Sequence, residues 1–154
     1  CCELVNHYFS KAPEKAYYYA MKLGKAKQRA STSFLDQLEA KISFDKVLEL
    51  QSRNPIRRLA DKSLLSSVCF IEQAKSYYRG LGAERSYLSS YYWASLASTS
   101  GARQGEMILA NLHNLARNLS ATEFEIWLNA IATVEKLTLD DWLTFKIAEK
   151  LNNE

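Results

Sequence analysis

Apolar residues recur along this chain at helical spacing, and no segment alternates at period two for long enough to argue a strand. Residues 2–9 are short and apolar and read as the tail of a helix. Pro13 suits a first helical turn, where its missing N–H costs nothing, and residues 14–23 continue as helix until Gly24 ends it. A further helix over 26–42 places Ala26, Ala30, Phe34, Leu38 and Ile42 on one stripe. Ser43 can cap a short helix over 44–51. Asn54-Pro55 is a cap followed by a first-turn proline. From there Ile56, Leu59, Leu64, Val68 and Ile71 support one long helix, or two short ones, as far as Arg79. Gly80-Leu81-Gly82 breaks the pattern, residues 84–99 are helical, Gly101 punctuates, and 102–118 are helical again. Ser120 with Glu123 is a capping box for a helix reaching about Leu137. Thr138 or Asp140 then starts a last helix containing Trp142, Phe145, Ile147 and Leu151. The pattern predicts an all-α fold of roughly seven to nine helices.

Composition narrows this further. The 154 residues suffice for one domain with a sizeable core. With 47% apolar and 24% charged residues the chain is globular, and five glycines with two prolines are too few for a turn-rich sheet protein. No apolar run approaches the roughly 20 residues that span a bilayer. The net charge of +3 is mild and lacks the concentrated basic character of a dedicated nucleic-acid binder. Cys1, Cys2 and Cys69 leave two readings open. One of the first two pairs with Cys69 in an exported protein, or Cys69 is a small buried hydrophobe. The Cys-Cys start favours export, even a lipid on Cys1, over a cytoplasmic location.

Residues 74–113 are the most distinctive stretch. Tyr77, Gly80, Gly82, Tyr87, Ser90, Trp93, Ala97, Ser98, Gly101, Gly105 and Leu109 place glycines at helix ends, with an aromatic and small residues at helical spacing between them. Gly80 and Gly82 can take positive φ and reverse the chain in few residues. Ala97, Ser98 and Gly105 allow two antiparallel helices to approach closely, and Trp93 locks one against the next. This segment resembles a Sel-one-like repeat, a relative of the tetratricopeptide repeat, with Ser90 and Gly105 where alanine is commoner. A degenerate copy near 8–40 contains Tyr8, Tyr17-Tyr18-Tyr19 and Gly24. The resemblance implies a single domain over 1–154. It would be a short right-handed superhelix of antiparallel helix pairs, with residues 119–154 as a helical cap. It also implies a non-catalytic bacterial adaptor or scaffold that binds a protein. The sharper alternative is a periplasmic immunity protein that neutralises a cognate toxin.

Candidate sites follow from which side chains face outward. Aligning Ala20 with Ala97 puts Tyr17 inward and Tyr19 outward, and the helical wheel puts Tyr92 on the side opposite the face of Tyr87, Ser90, Trp93 and Ala97. Tyr19, Tyr92, Arg79 and Arg85 are therefore the expected partner-binding residues, since exposed tyrosine and arginine make good anchors. Lys22, Lys25, Lys27 and Arg29 form one basic stretch, and Arg53, Arg57, Arg58 and Lys62 another; in the second, Arg53, Arg57 and Arg58 form either a patch at a helix start that meets an acidic partner or a solvated helix face. They lack interleaved aromatics for base stacking, so no nucleic acid is expected. His7 and His113 show no metal-type spacing, Asp140-Asp141 reads as a helix cap, and neither glycine cluster follows a strand. No enzyme, metal or cofactor is expected.

Overall fold

The computed structural model describes residues 2–59 and 67–152. They fold as eight α-helices: α1 (Cys2–Tyr8), α2 (Pro13–Lys25), α3 (Ala30–Glu39), α4 (Phe44–Gln51), α5 (Ser67–Arg79), α6 (Tyr87–Thr99), α7 (Arg103–Asn114) and α8 (Ala121–Asn152). The fold is all-α, and among the described residues there is no strand. Two compact units are distinguished, one within Cys1–Asn54 and Lys75–Tyr87, the other within Pro55–Ala74 and Leu88–Glu154.

In the first unit α1 and α3 both pack on α2. Ala16, Tyr17, Ala20, Met21 and Leu23 of α2, Leu35 and Leu38 of α3, and Val47, Leu48 and Leu50 of α4 make its core. Helix α2 does not stop at Gly24. It runs on to Lys25, and the reversal falls at Lys27, which takes φ 64°. Gly24 is small for another reason: a Cβ there would lie 1.9 Å from the Gly80 carbonyl oxygen. That late reversal also resets the next helix. It starts at Ala30, so Ser31, Leu35 and Leu38 face inward while Ala26 and Ala30 are exposed and Ile42 falls beyond its end. Of the expected stripe, Leu38 is buried and Phe34 half-buried, and Ser31 and Leu35 complete the inward face.

The Gly80-Leu81-Gly82 turn behaves as expected. Gly80 and Gly82 take φ 71° and 84°, Gly82 donates its N–H to the Gly24 carbonyl (2.8 Å), and Ser86 donates to the Tyr77 carbonyl (3.0 Å). In the second unit α6 is the centre. Tyr91, Tyr92, Trp93, Ala94, Leu96 and Ala97 are all buried, so the helix is covered on every side. Phe70 packs on Trp93 with ring centroids 5.9 Å apart, and the Ser90 hydroxyl donates to the Ala74 carbonyl (2.8 Å). Gly105 lets α7 approach α6, since a Cβ there would sit 2.6 Å from the Ser98 nitrogen. Trp127, Ile131 and Val134 of α8 complete this core.

Two expected helix starts are absent. Residues 55–58 are irregular, and Asn54, instead of capping a helix, hydrogen-bonds through its side-chain amide to Glu84. The Leu59 N–H goes to the Tyr92 hydroxyl (2.7 Å), a tertiary partner that replaces the helical one. Leu64 and Lys62 lie outside the described residues. The capping box at Ser120 does form, with the Glu123 N–H donating to the serine hydroxyl (3.2 Å). The helix it starts then passes through Thr138 and Asp140 without a break, because no glycine or proline interrupts it and Asp141 finds side-chain partners outside its own helix. The Cys1 and Cys2 side chains, and with them the expected pairing, lie outside the described residues, and Cys69 is half-buried on α5.

Candidate functional site

The four expected partner-binding residues divide sharply. Tyr92 is 0% exposed and Arg85 is 4% exposed, so neither presents a surface. The Tyr92 ring meets Trp93 edge-on, with centroids 5.2 Å apart, and α6 is covered on the Tyr92 side as well. Arg79 is exposed at the end of α5, and Tyr19 is half-buried on α2.

Arg85 is the hub of a polar network in the first unit. Its Nη1 donates to Asp36 Oδ1 and Glu39 Oε2, both at 2.8 Å, and its Nη2 and Nε donate to the Arg79 carbonyl at the end of α5. Glu39 also accepts from the Tyr17 hydroxyl (2.9 Å) and from the Tyr87 hydroxyl. Gln51 closes the circuit by donating to the Tyr17 oxygen (2.8 Å) and accepting from the Tyr87 N–H (2.9 Å). Burial and the Glu39 charge raise the pKa of both phenols. Burial opposes the Arg85 charge, but Tyr87, Glu39 and Asp36 more than offset it and its pKa is raised. The two phenols and the guanidinium therefore keep their protons near neutral pH, and the cluster ties α2, α3, α4 and the end of α5 together.

Tyr92 anchors a second network, in the other unit. Its hydroxyl donates to Asp141 Oδ2 (2.5 Å) and accepts from Leu59 N–H. Arg58 makes a bidentate contact to the same carboxylate, at 2.9 and 2.6 Å. Burial alone would raise the Asp141 pKa; the hydrogen bonds from Arg58 and Tyr92 win and lower it. Arg58 is 42% exposed, so the ion pair is screened and modest. Asp141→Asn is expected to cost about 1–2 kcal/mol near neutral pH. A depressed folded-state pKa contributes stability above the ordinary carboxylate value, lost as pH falls through the folded one. The gap between wild type and variant in urea unfolding should therefore narrow as pH falls below the ordinary carboxylate range. A gap that stays constant with pH would show that the charge plays no part.

His113 is exposed, with its ring edge-on to Tyr91 (5.5 Å between centroids), and the Tyr91 hydroxyl donates to Glu135 (2.6 Å). Two surface depressions occur in the second unit. Ser95, Thr99, Glu135, Thr138, Leu139 and Trp142 line one; Phe70, Thr99, Ser100, Trp142, Phe145, Lys146 and Glu149 line the other. His113 lines neither. Among the described residues no group of three or more His, Cys, Asp or Glu side chains could hold a metal ion.

What the structure adds is the surface of α8. Among the described residues, seven of the ten exposed large apolar side chains lie on it: Phe124, Ile126, Leu128, Leu139, Leu143, Ile147 and Leu151. The last four recur every fourth residue, so they follow one ridge of the helix. The buried residues of α8 end at Thr138, although the helix continues to Asn152. Among the described residues beyond Thr138, only Asp141, Trp142 and Phe145 are even half-buried. The sequence shows this ridge, but the same leucines read equally well as the core face of a packed cap. No helix is long and apolar enough to cross a membrane among the described residues. No protein-family model, no curated protein and no solved structure matches the chain.

Proposed function

We propose that this chain is a non-catalytic helical protein-interaction module, related to the Sel-one-like repeats, that engages its partner through the second half of α8. The ridge of Leu139, Leu143, Ile147 and Leu151 carries this reading. Leu143 is 51% and Ile147 60% exposed, on a helix apolar on much of its circumference. Contiguous apolar surface of this kind mainly marks interaction sites, because leaving it in water forgoes about 25 cal/mol for each Å² that a partner would cover. Leu139 and Trp142 also line the first depression, and Trp142 with Phe145 the second. A ridge beside the first of these hollows, walled by Leu139 and Trp142, suits an apolar anchor from a partner better than a small polar substrate.

The test compares the wild-type chain with Leu143→Glu/Ile147→Glu. Both positions are exposed, so urea unfolding should shift by no more than about 0.5 kcal/mol. Affinity capture from native extract, read by mass spectrometry, should lose its specific protein partners. Capture of the same set by both proteins, or of no protein by the wild type, sinks the proposal.

A further inference from the structure

The positive charge of the chain is concentrated at one end of its sequence. Residues 1–29 hold six lysines and arginines against two glutamates, an excess larger than the +3 of the whole chain. The remaining residues are therefore slightly acidic. Within the first unit, α2 orders part of this charge. Lys15, Tyr18, Lys22 and Lys25 follow one another at intervals of three, four and three residues, the spacing of a single helical face. The stripe is roughly 15 Å long at about 1.5 Å per residue. Lys15 and Lys25 are exposed and Tyr18 is 38% exposed. Lys22 pairs with Glu84 (2.5 Å). Among the described residues neither Lys15 nor Lys25 has a carboxylate within ion-pair reach, and Glu14 approaches Lys46 instead (3.9 Å).

The aromatic rings beside the stripe are already engaged through their faces. Tyr8 and Tyr19 stack on each other, with centroids 5.9 Å apart and planes 15° apart. The Lys15 ammonium sits over Tyr8 and that of Lys22 over Tyr18, at 5.4 and 5.3 Å. The surface therefore offers ammonium groups, ring edges and phenol hydroxyls. Base stacking needs free ring faces, so single-stranded nucleic acid is a poor fit. Carboxylates need point charges and donors, which are what the surface supplies.

We propose that this lysine–tyrosine face of α1 and α2 takes an acidic segment of a partner protein, with carboxylates on Lys15 and Lys25 and an aromatic or apolar side chain against the ring edges of Tyr18 and Tyr19. It rests on the reading of the chain as an interaction module, through a different surface from α8. The charge complementarity accelerates and orients encounter as well as holding the segment.

The purified chain is titrated into a fluorescein-labelled peptide of glutamates with a central tyrosine, and anisotropy is read at low and moderate salt. Parallel arms use the same peptide with glutamines and an oligothymidylate of equal length. The glutamate peptide should bind, weaken with salt, and lose about tenfold in affinity with Lys15→Glu/Lys25→Glu, since about 1.4 kcal/mol is a factor of ten. Tyr18→Ala should weaken it severalfold at unchanged thermal stability. Equal binding by the double variant, equal binding of the glutamine peptide, or tighter binding of the oligothymidylate overturns the proposal. No arm depends on Leu143 or Ile147, so failure here and failure of the α8 capture are separate results.

Discussion

Gly24→Ala is expected to destabilise the chain by more than about 3 kcal/mol, although helix propensity alone predicts the opposite sign. Gly24 lies inside α2, where replacing glycine by alanine normally gains about 1 kcal/mol. The methyl group, however, would sit 1.9 Å from the Gly80 carbonyl oxygen and 3.0 Å from its carbon. Backbone is the obstacle, so no rotamer change relieves it. Gly80 itself cannot yield easily. Its φ is 71°, a Cβ there would lie 2.7 Å from Arg85 Cβ, and the neighbouring Gly82 N–H is bonded to the Gly24 carbonyl. Separating α2 from this turn would break that bond and disturb the network centred on Arg85. Gly101 supplies the control. It has φ 96°, but a Cβ there would meet nothing within 4 Å, so Gly101→Ala should cost only the conformational term, about 1–2 kcal/mol. Urea unfolding of both variants decides the matter. A Gly24→Ala protein as stable as wild type would mean that α2 and the Gly80 turn do not approach this closely.

The contrast shows which parts of the structure the sequence made legible. Positive φ at Gly80 and Gly82 followed from local chemistry, as did the serine cap at Ser120. The role of Gly24 did not, because it depends on a residue more than fifty positions away. Asn54-Pro55 misled for the same reason. The local start signal is sound, but Glu84, Tyr92 and Asp141 claim Asn54, the Leu59 N–H and Arg58. Tyr92 carries the clearest lesson. A helical wheel tells which side chains oppose each other, and it cannot tell how many sides of a helix are covered. One available signal was that Tyr87–Thr99 contains no charged residue at all, which points to a helix buried all round. The ridge on α8 was visible as a pattern, yet only the end of burial at Thr138 separates an exposed ridge from a core face.

Arg85 invites the second large effect. Arg85→Ala should cost about 3–5 kcal/mol, the range for removing one partner of a buried ion pair. The substitution leaves the Glu39 carboxylate, whose side chain is only 19% exposed, without its guanidinium, and leaves the Arg79 carbonyl without its two donors. The loss should be concentrated on the inner partner. Asp36 is 70% exposed, so Asp36→Asn should cost less than about 1 kcal/mol even though its distance to Arg85 is the same 2.8 Å. Burial, not distance, sets the magnitude, because only the desolvated charge has no water to fall back on. Arg85→Met combined with Glu39→Leu removes both buried charges. That double variant should lose less than the sum of its single variants, with a coupling of about 1–3 kcal/mol. It will not recover fully, since the Tyr17 and Tyr87 hydroxyls lose their acceptor while remaining buried. If Asp36→Asn proved as damaging as Arg85→Ala, the network would be held from its exposed side and the buried hub would be the wrong description. The same experiment bears on the partner-binding role first expected of Arg85: a residue that holds the first unit together from inside will lower partner affinity only as far as it lowers stability.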